Sequence, residues 1–294
     1  MVDATVQRIS GLLVVWLAAA PFAAAQADAL GGAREKYQQT QYKEALALLA
    51  QAPSSPAALQ LAGQCHYFLR DYKRAAEVLE KAAQAAPRDA AVQLWLGRAW
   101  GRRAESANPF QAPGFAVKAR KAFEQAVALD PAFVEAATDL LEYYLEAPGF
   151  LGGGTGKAAA LADRNIKPHD AAQYHYALAQ IARKQNQDDV AERELRRAAE
   201  LQPGSSGRLA DLARFLARRG RLAEAEELFA KAAKLEPRAP GWRFAQAQMY
   251  AEAKTKQAEA RRLLEEFLKL PLTPDDPPRE DAEALLARLR SGTR

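Results

Sequence analysis

The residues whose types most invite a chemical reading are Gly152-Gly153-Gly154-Thr155-Gly156-Lys157. A phosphate-binding loop needs G-x-x-x-x-G-K-[ST], in which glycine amides cradle phosphate and a hydroxyl reaches magnesium. Counted back from Gly156, the first glycine's place holds Leu151, and the hydroxyl's place holds Ala158. The flanking segments have helical periodicity, whereas such a loop follows a strand. The run therefore reads as a flexible turn, with an anion resting at the following helix start as the residual alternative. The three histidines, His66, His169 and His175, do not fall at the i, i+4 spacing that brings two imidazoles onto one zinc. The single cysteine, Cys65, lies in a helical pattern and reads as a small packed residue; with one thiol no intramolecular disulfide forms. Acidic pairs such as Asp188-Asp189 and Glu226-Glu227 read as solvated helix faces, and no G-x-S-x-G nucleophile elbow is present. No catalytic constellation, metal site or cofactor is expected.

The elements that must position any site are helical. RLADLARFLARRGRLAEAEELFAKAAKLEP, residues 208–237, places Leu209, Leu212, Ala213 and Leu216 on one helical stripe and Ala225, Leu228, Phe229 and Ala232 on a second. Gly220 divides the two helices and Pro237 ends the unit. Leu178, Ala179, Ala191, Leu195, Ala198 and Pro203 occupy the same places 34 residues earlier. This register resembles the tetratricopeptide repeat, a helix–turn–helix of 34 residues. A lone hairpin cannot bury its apolar face, so neighbours must stack. The resemblance implies an all-α, right-handed α-solenoid.

Gly63 returns at Gly97, and Ala119, Phe123, Ala126 and Pro131 follow Ala75, Leu79, Ala82 and Pro87 by 44 residues rather than 34. Ten extra residues therefore fall around positions 102–114, where Asn108-Pro109 and Pro113-Gly114 predict an irregular loop. A second interruption, 147–156, follows the tyrosine pair Tyr143-Tyr144. The spread turn and the P-G-x-x-G-G-x-x-x-K-A element together resemble a group of exported bacterial repeat proteins of unassigned function. The expected organisation is a leader over 1–25, a solenoid of about seven hairpins over 26–270, and a linker with a capping helix over 271–294.

In such arrays the first helix of each hairpin lines a concave groove. The positions between packing residues are then Gln60, Gln64 and Tyr67, Arg98 and Arg102, Asp139 and Glu142, Tyr176, Gln180 and Arg183, and Arg214 and Arg218. Tyrosine and arginine are enriched at interaction hot spots. The lysine–asparagine clamp by which some relatives hold a terminal carboxylate is absent from these positions. The two interrupted turns carry Phe110, Phe115, Phe150 and Leu151, which would form an apolar lip beside the groove. A non-enzymatic scaffold for a protein or peptide partner is the leading expectation; a binder of a small or polymeric envelope ligand at the same loops is the alternative. The net charge of +5 comes from 41 basic against 36 acidic residues with no Lys/Arg run longer than three, which speaks against nucleic acid.

Residues 9–25, ISGLLVVWLAAAPFAAA, carry no charge, follow Arg8, and lead into two A-x-A triplets, Ala23-Ala24-Ala25 and Ala25-Gln26-Ala27. The run is shorter than the ~20 residues of a membrane span and fits a cleaved secretory leader, so no integral span is expected after cleavage and the destination is periplasmic. The intact mass of native protein is then expected to begin after Ala25 or Ala27; a cytosolic chain beginning at Met1 or Val2 overturns export.

Overall fold

The structure, a computed structural model, describes residues 19–292. The expected leader falls outside the described residues as far as position 18. Seven helix pairs follow one another: α1 (Ala19–Gln38) with α2 (Tyr42–Leu49), α3 (Pro56–Phe68) with α4 (Tyr72–Ala85), and α5 (Ala90–Ser106) with α6 (Ala112–Leu129). Then come α7 (Val134–Glu146) with α8 (Thr155–Leu161), α9 (Ala171–Lys184) with α10 (Asp188–Leu201), α11 (Ser206–Arg218) with α12 (Leu222–Leu235), and α13 (Pro240–Glu252) with α14 (Gln257–Phe267). A single helix, α15 (Arg279–Ser291), ends the array. No strand occurs among the described residues, and none of their helices is long and apolar enough to cross a membrane.

Several of these helices begin at polar caps. Side-chain oxygens of Ser55, Asp71, Asp89, Asp170 and Ser205 accept hydrogen bonds from amides two or three residues on, each worth about 1 kcal/mol. The pairs hold together through close approach at one small residue. A Cβ on Gly63 would lie 2.4 Å from Leu79 Cγ, and one on Gly97 would lie 2.5 Å from the Phe123 ring. In the later pairs the corresponding positions hold Ala179, Ala213 and Ala247, all without exposed surface and packed in one core with Leu195, Phe229 and Leu264. The expected packing residues Ala225 and Ala232 are likewise wholly buried. So is Cys65, whose thiol burial pushes up to about 12, which keeps it protonated at neutral pH.

The turn within five of the seven pairs has a shared geometry. Thr40, Arg70, Asn186, Gly220 and Lys254 have φ of 58°, 61°, 58°, 78° and 50°. The residue after each donates its amide to the carbonyl five back, as in Arg221 to Leu216 and Asp71 to His66, which closes the helix end. Only one of the five is glycine.

The two interrupted pairs depart from that turn, and in the third the expectation of a long irregular loop is corrected. The ten extra residues mostly extend α5 to 17 residues and α6 to 18, leaving five residues between them. Asn108 folds the short link by accepting from the amides of Phe110 and Gln111. Pro113 then sits in the first turn of α6, where its missing N–H is not needed. In the fourth pair, Gly149–Leu151 forms a single tight turn, and α8 runs on into a widened turn, Ala162–Ile166, where the Lys167 amide reaches the Ala162 carbonyl.

The array curves until its ends meet. Arg70, in the turn of the second pair, makes an ion pair with Asp281 in the first turn of α15. Beside this contact a cavity of about 310 Å³ lies between Gln41, Tyr42 and Phe68 on one side and Leu272, Pro278 and Glu280 on the other.

Thr40 is β-branched in a left-handed conformation that only glycine adopts without strain. Thr40→Gly is expected to raise stability by about 1 kcal/mol, the relieved strain exceeding the added unfolded-state entropy, as read from urea unfolding midpoints.

Candidate functional site

The glycine-rich turn has a structural account. Gly152 and Gly154 have φ of 92° and 143°, and a Cβ on Gly153 would lie 1.8 Å from the Ala147 carbonyl oxygen. The Gly154 amide donates to Tyr144 O at 2.7 Å, Tyr143 Oη donates to Leu151 O at 2.9 Å, and Lys157 Nζ donates to Gly152 O at 2.9 Å. The glycines thus let the chain fold back on the end of α7, and the lysine caps the turn. Among the described residues no group of three or more His, Cys, Asp or Glu side chains is placed to hold a metal. His175 Nδ1 lies 2.6 Å from Glu194, and burial lowers His66 below the ordinary imidazole range.

Of the expected lip residues, Phe115 stacks on Trp100 with ring centroids 5.3 Å apart and Arg103 over its face, so it belongs to its own helix pair. Leu151 is half-buried in the turn. Phe110 and Phe150 are 97% and 83% exposed. The second turn rests on α6 at Arg120, eight residues, or about 12 Å of helix, beyond the end that carries the first turn.

The twelve groove candidates divide into two halves of different character. In the first half the charges are matched within the protein. Arg98 Nε donates to Asp139 at 2.6 Å, its Nη2 donates to Glu135 at 2.6 Å, and its guanidinium lies over the Trp95 ring. Burial alone would lower the Arg98 guanidinium, but Asp139 and Glu135 more than offset it and hold it above its ordinary value. Burial raises the Asp139 carboxyl, and Arg98 offsets this only in part. Arg102 pairs with Glu105 and lies over Tyr72. Tyr67 packs edge-on against Tyr72 and Trp95, and Gln60 and Gln64 are half-buried two turns and one turn before it on α3. Glu142 is exposed within the groove, yet desolvation by its walls, then Asp139, Glu146 and Glu105, raise its carboxyl.

In the second half, α9 and α11 bring Tyr176, Gln180, Arg183, Arg214 and Arg218 around one cavity of about 250 Å³. It adjoins a second of about 370 Å³ that shares Gln180, Arg183 and Arg218 and reaches Lys184 and Arg219. Arg183 donates to Gln180 Oε1 at 2.9 Å. Arg214 and Arg218 have no ion-pair partner among the described residues, and Arg214 Nε is buried without a hydrogen bond. Burial, then Arg183 and Arg214, lower the Arg218 guanidinium. Two residues absent from the expected set complete the site. Asp211 faces the pocket, with 31% of its side chain exposed, and burial raises its carboxyl to about 6 although Arg208, Arg214, Arg218 and Arg183 pull it down. Arg208 lies over the Tyr176 ring and donates to Gln173 Oε1 at 2.6 Å; Gln173 in turn donates to Thr138 Oγ1, which ties α11 to α9 and α7. Their signal was available: Arg208, Asp211, Arg214 and Arg218 follow one another at helical spacing.

Arg98→Met leaves Asp139 facing no cation and is expected to lose about 1–3 kcal/mol at neutral pH, less than for a wholly buried pair because both side chains keep some exposure. A carboxyl whose folded pKa is raised favours the fold at low pH, so the loss should shrink as pH falls and Asp139 takes a proton. Equal losses in urea titrations at about pH 7 and about pH 5 would contradict this assignment.

Comparison with known proteins agrees with this architecture. Sequence profiles of the tetratricopeptide repeat match residues 30–90, 61–110 and 210–277, and a further one matches 172–205, together more than half of the chain. No curated protein matches by sequence. Among solved structures, a tetratricopeptide repeat protein from Parabacteroides merdae is similar with a TM-score of 0.58 and 12% identity, over 91% of this chain and 99% of that one. A thermophilic repeat protein from Thermus thermophilus is similar with a TM-score of 0.54 and 20% identity, over 65% of this chain and 98% of that one. At these identities the likeness is one of fold. The 34-residue return, the stacked helix pairs and the matching profiles agree: the chain belongs to the tetratricopeptide repeat family.

Proposed function

We propose that the protein is an exported, non-enzymatic scaffold of the bacterial envelope that holds an extended polypeptide partner on its concave face. The observation that carries the reading is the second half of the groove, where Arg214 and Arg218 on a preformed helical wall have no ion-pair partner among the described residues. A surface already ordered in the free protein limits the entropy lost on binding, so many modest contacts can sum. The uncharged run over residues 9–25 supports export. The exposed rings of Phe110 and Phe150 supply two further apolar contacts on the turn side of the third and fourth pairs. Single exposed apolar residues are common on any surface, but rings exposed to this degree in the turns of the two interrupted pairs suit contact with a partner.

A photo-crosslinking residue placed at Gln180, and separately at Phe150, tests this in the intact envelope. Capture of the same polypeptide from both positions is expected. Capture of none from either position, with a small molecule retained instead, replaces this reading with that of a small-ligand binder.

A further inference from the structure

Resting on that reading of the concave face, we propose that the pocket between α9 and α11 is an anchoring site for an acidic peptide segment, whose carboxylates it takes onto Arg183, Arg214 and Arg218. Three guanidiniums converge on one cavity of about 250 Å³. Elsewhere in the groove arginines are matched: Arg98 by two carboxylates, Arg102 by Glu105. Here Arg183 meets only the neutral Gln180, and Arg214 and Arg218 meet no carboxylate within ion-pair distance among the described residues. Like charges held together, offset only by Asp211 and, at Arg218, by Glu252, raise the free energy of the empty site, and a ligand carboxylate relieves that repulsion while forming charge-assisted, forked hydrogen bonds. The adjoining cavity of about 370 Å³ continues past Arg183 and Arg218 to Lys184 and Arg219, but these two are paired with Glu146 and with Asp188 and Asp189, so the unmatched cations belong to the first cavity. Three guanidiniums carried on two helices, Arg183 on α9 and Arg214 and Arg218 a turn apart on α11, suit carboxylates spaced along a chain better than one compact phosphate. Phe215, buried, and Tyr176 give the channel an aromatic wall for the peptide's carbon chain.

Asp211 makes the site responsive to pH. It is faced by Arg208, Arg214 and Arg218 on its own helix and by Arg183 and Tyr176 on α9; Glu142 of α7 acts on Tyr176 and Glu252 of α13 on Arg218. Its carboxyl, pushed up to about 6 by burial, is ionised at neutral pH and repels an incoming carboxylate. Taking up a proton removes that charge, so affinity for an acidic segment rises as pH falls through this value, while the ligand's own carboxylates, near 4, are still ionised.

The probe is fluorescein-labelled hexaglutamate, followed by fluorescence anisotropy with the whole chain at low ionic strength, with hexaglutamine as the neutral control. Hexaglutamate is expected to bind and hexaglutamine not to bind. Arg214→Gln combined with Arg218→Gln should weaken hexaglutamate about tenfold or more, because two desolvated charge contacts are lost. Arg214→Lys, which keeps the charge but not the fork, should lose part of it. Asp211→Asn should bind more tightly than the parent at about pH 7.5 and equally at about pH 5.5, a readout that a change in folding alone does not produce. Unchanged binding in the double arginine variant overturns the site. Inorganic phosphate competing as well as free hexaglutamate overturns the peptide assignment in favour of a phosphate site. If a polypeptide is still captured from Gln180 in the double variant, the scaffold reading stands and this anchoring site falls.

Discussion

The rest of the structure depends on how closely the two helices of a pair approach. Gly63 against Leu79 and Gly97 against Phe123 leave no room for a methyl group, and alanine holds the same place in the later pairs. That approach lets one large residue from each second helix fill the space between two first helices. Repeated at a fixed interval, it sets the angle at which one pair stacks on the next. The first helices therefore fall side by side along one wall. Side chains on that wall from α5 and α7, or from α7, α9 and α11, come within bonding distance although they are 35 to 41 residues apart in sequence. The groove is a consequence of the packing before it is anything else.

What the wall presents is decided by whether its charges find each other. Between α5 and α7, Arg98 and Asp139 are close enough to satisfy one another, and that stretch is a strut. Between α9 and α11, the carboxylate facing Arg183, Arg214 and Arg218 is a single aspartate, Asp211, which is already paired with Arg208 at 3.8 Å and whose burial favours its neutral form. The same repeat geometry thus yields matched charges in one place and unmatched ones a few turns away. Specific binding needs the unmatched kind, since a matched pair must be broken before it can serve a ligand.

The helix pairs were legible in the sequence because the apolar residues recur at a fixed distance, and distance is what sequence records. Gly220 was legible as a helix stop for the same local reason. Its counterparts Thr40, Arg70 and Lys254 were not, because these residue types rarely take a left-handed conformation; Asn186, which does so more readily, carries a weaker signal than glycine. The residues around 102–114 were read as loop from their prolines and glycines, yet Pro113 lies in the one turn of a helix that accepts proline. Five of the groove candidates did come together in one pocket, but whether a given arginine was matched depended on the neighbouring pair, which no spacing rule reports. Asp211 and Arg208 escaped notice because they fall outside the positions compared across repeats.

A stack of pairs that touch only their neighbours behaves as a spring, and its curvature drifts with every small change at an interface. Here the spring is fastened into a hoop. Arg70 reaches Asp281, and the turn after α1 and the linker before α15 share one cavity. Both side chains of the fastening pair are about half exposed, so the pair itself contributes on the order of 1 kcal/mol or less. The two ends of the groove thus touch, far from the arginines in sequence, through a contact that added salt weakens. Closed by so weak a contact, the hoop keeps its form chiefly through the stacking of one pair on the next along its length.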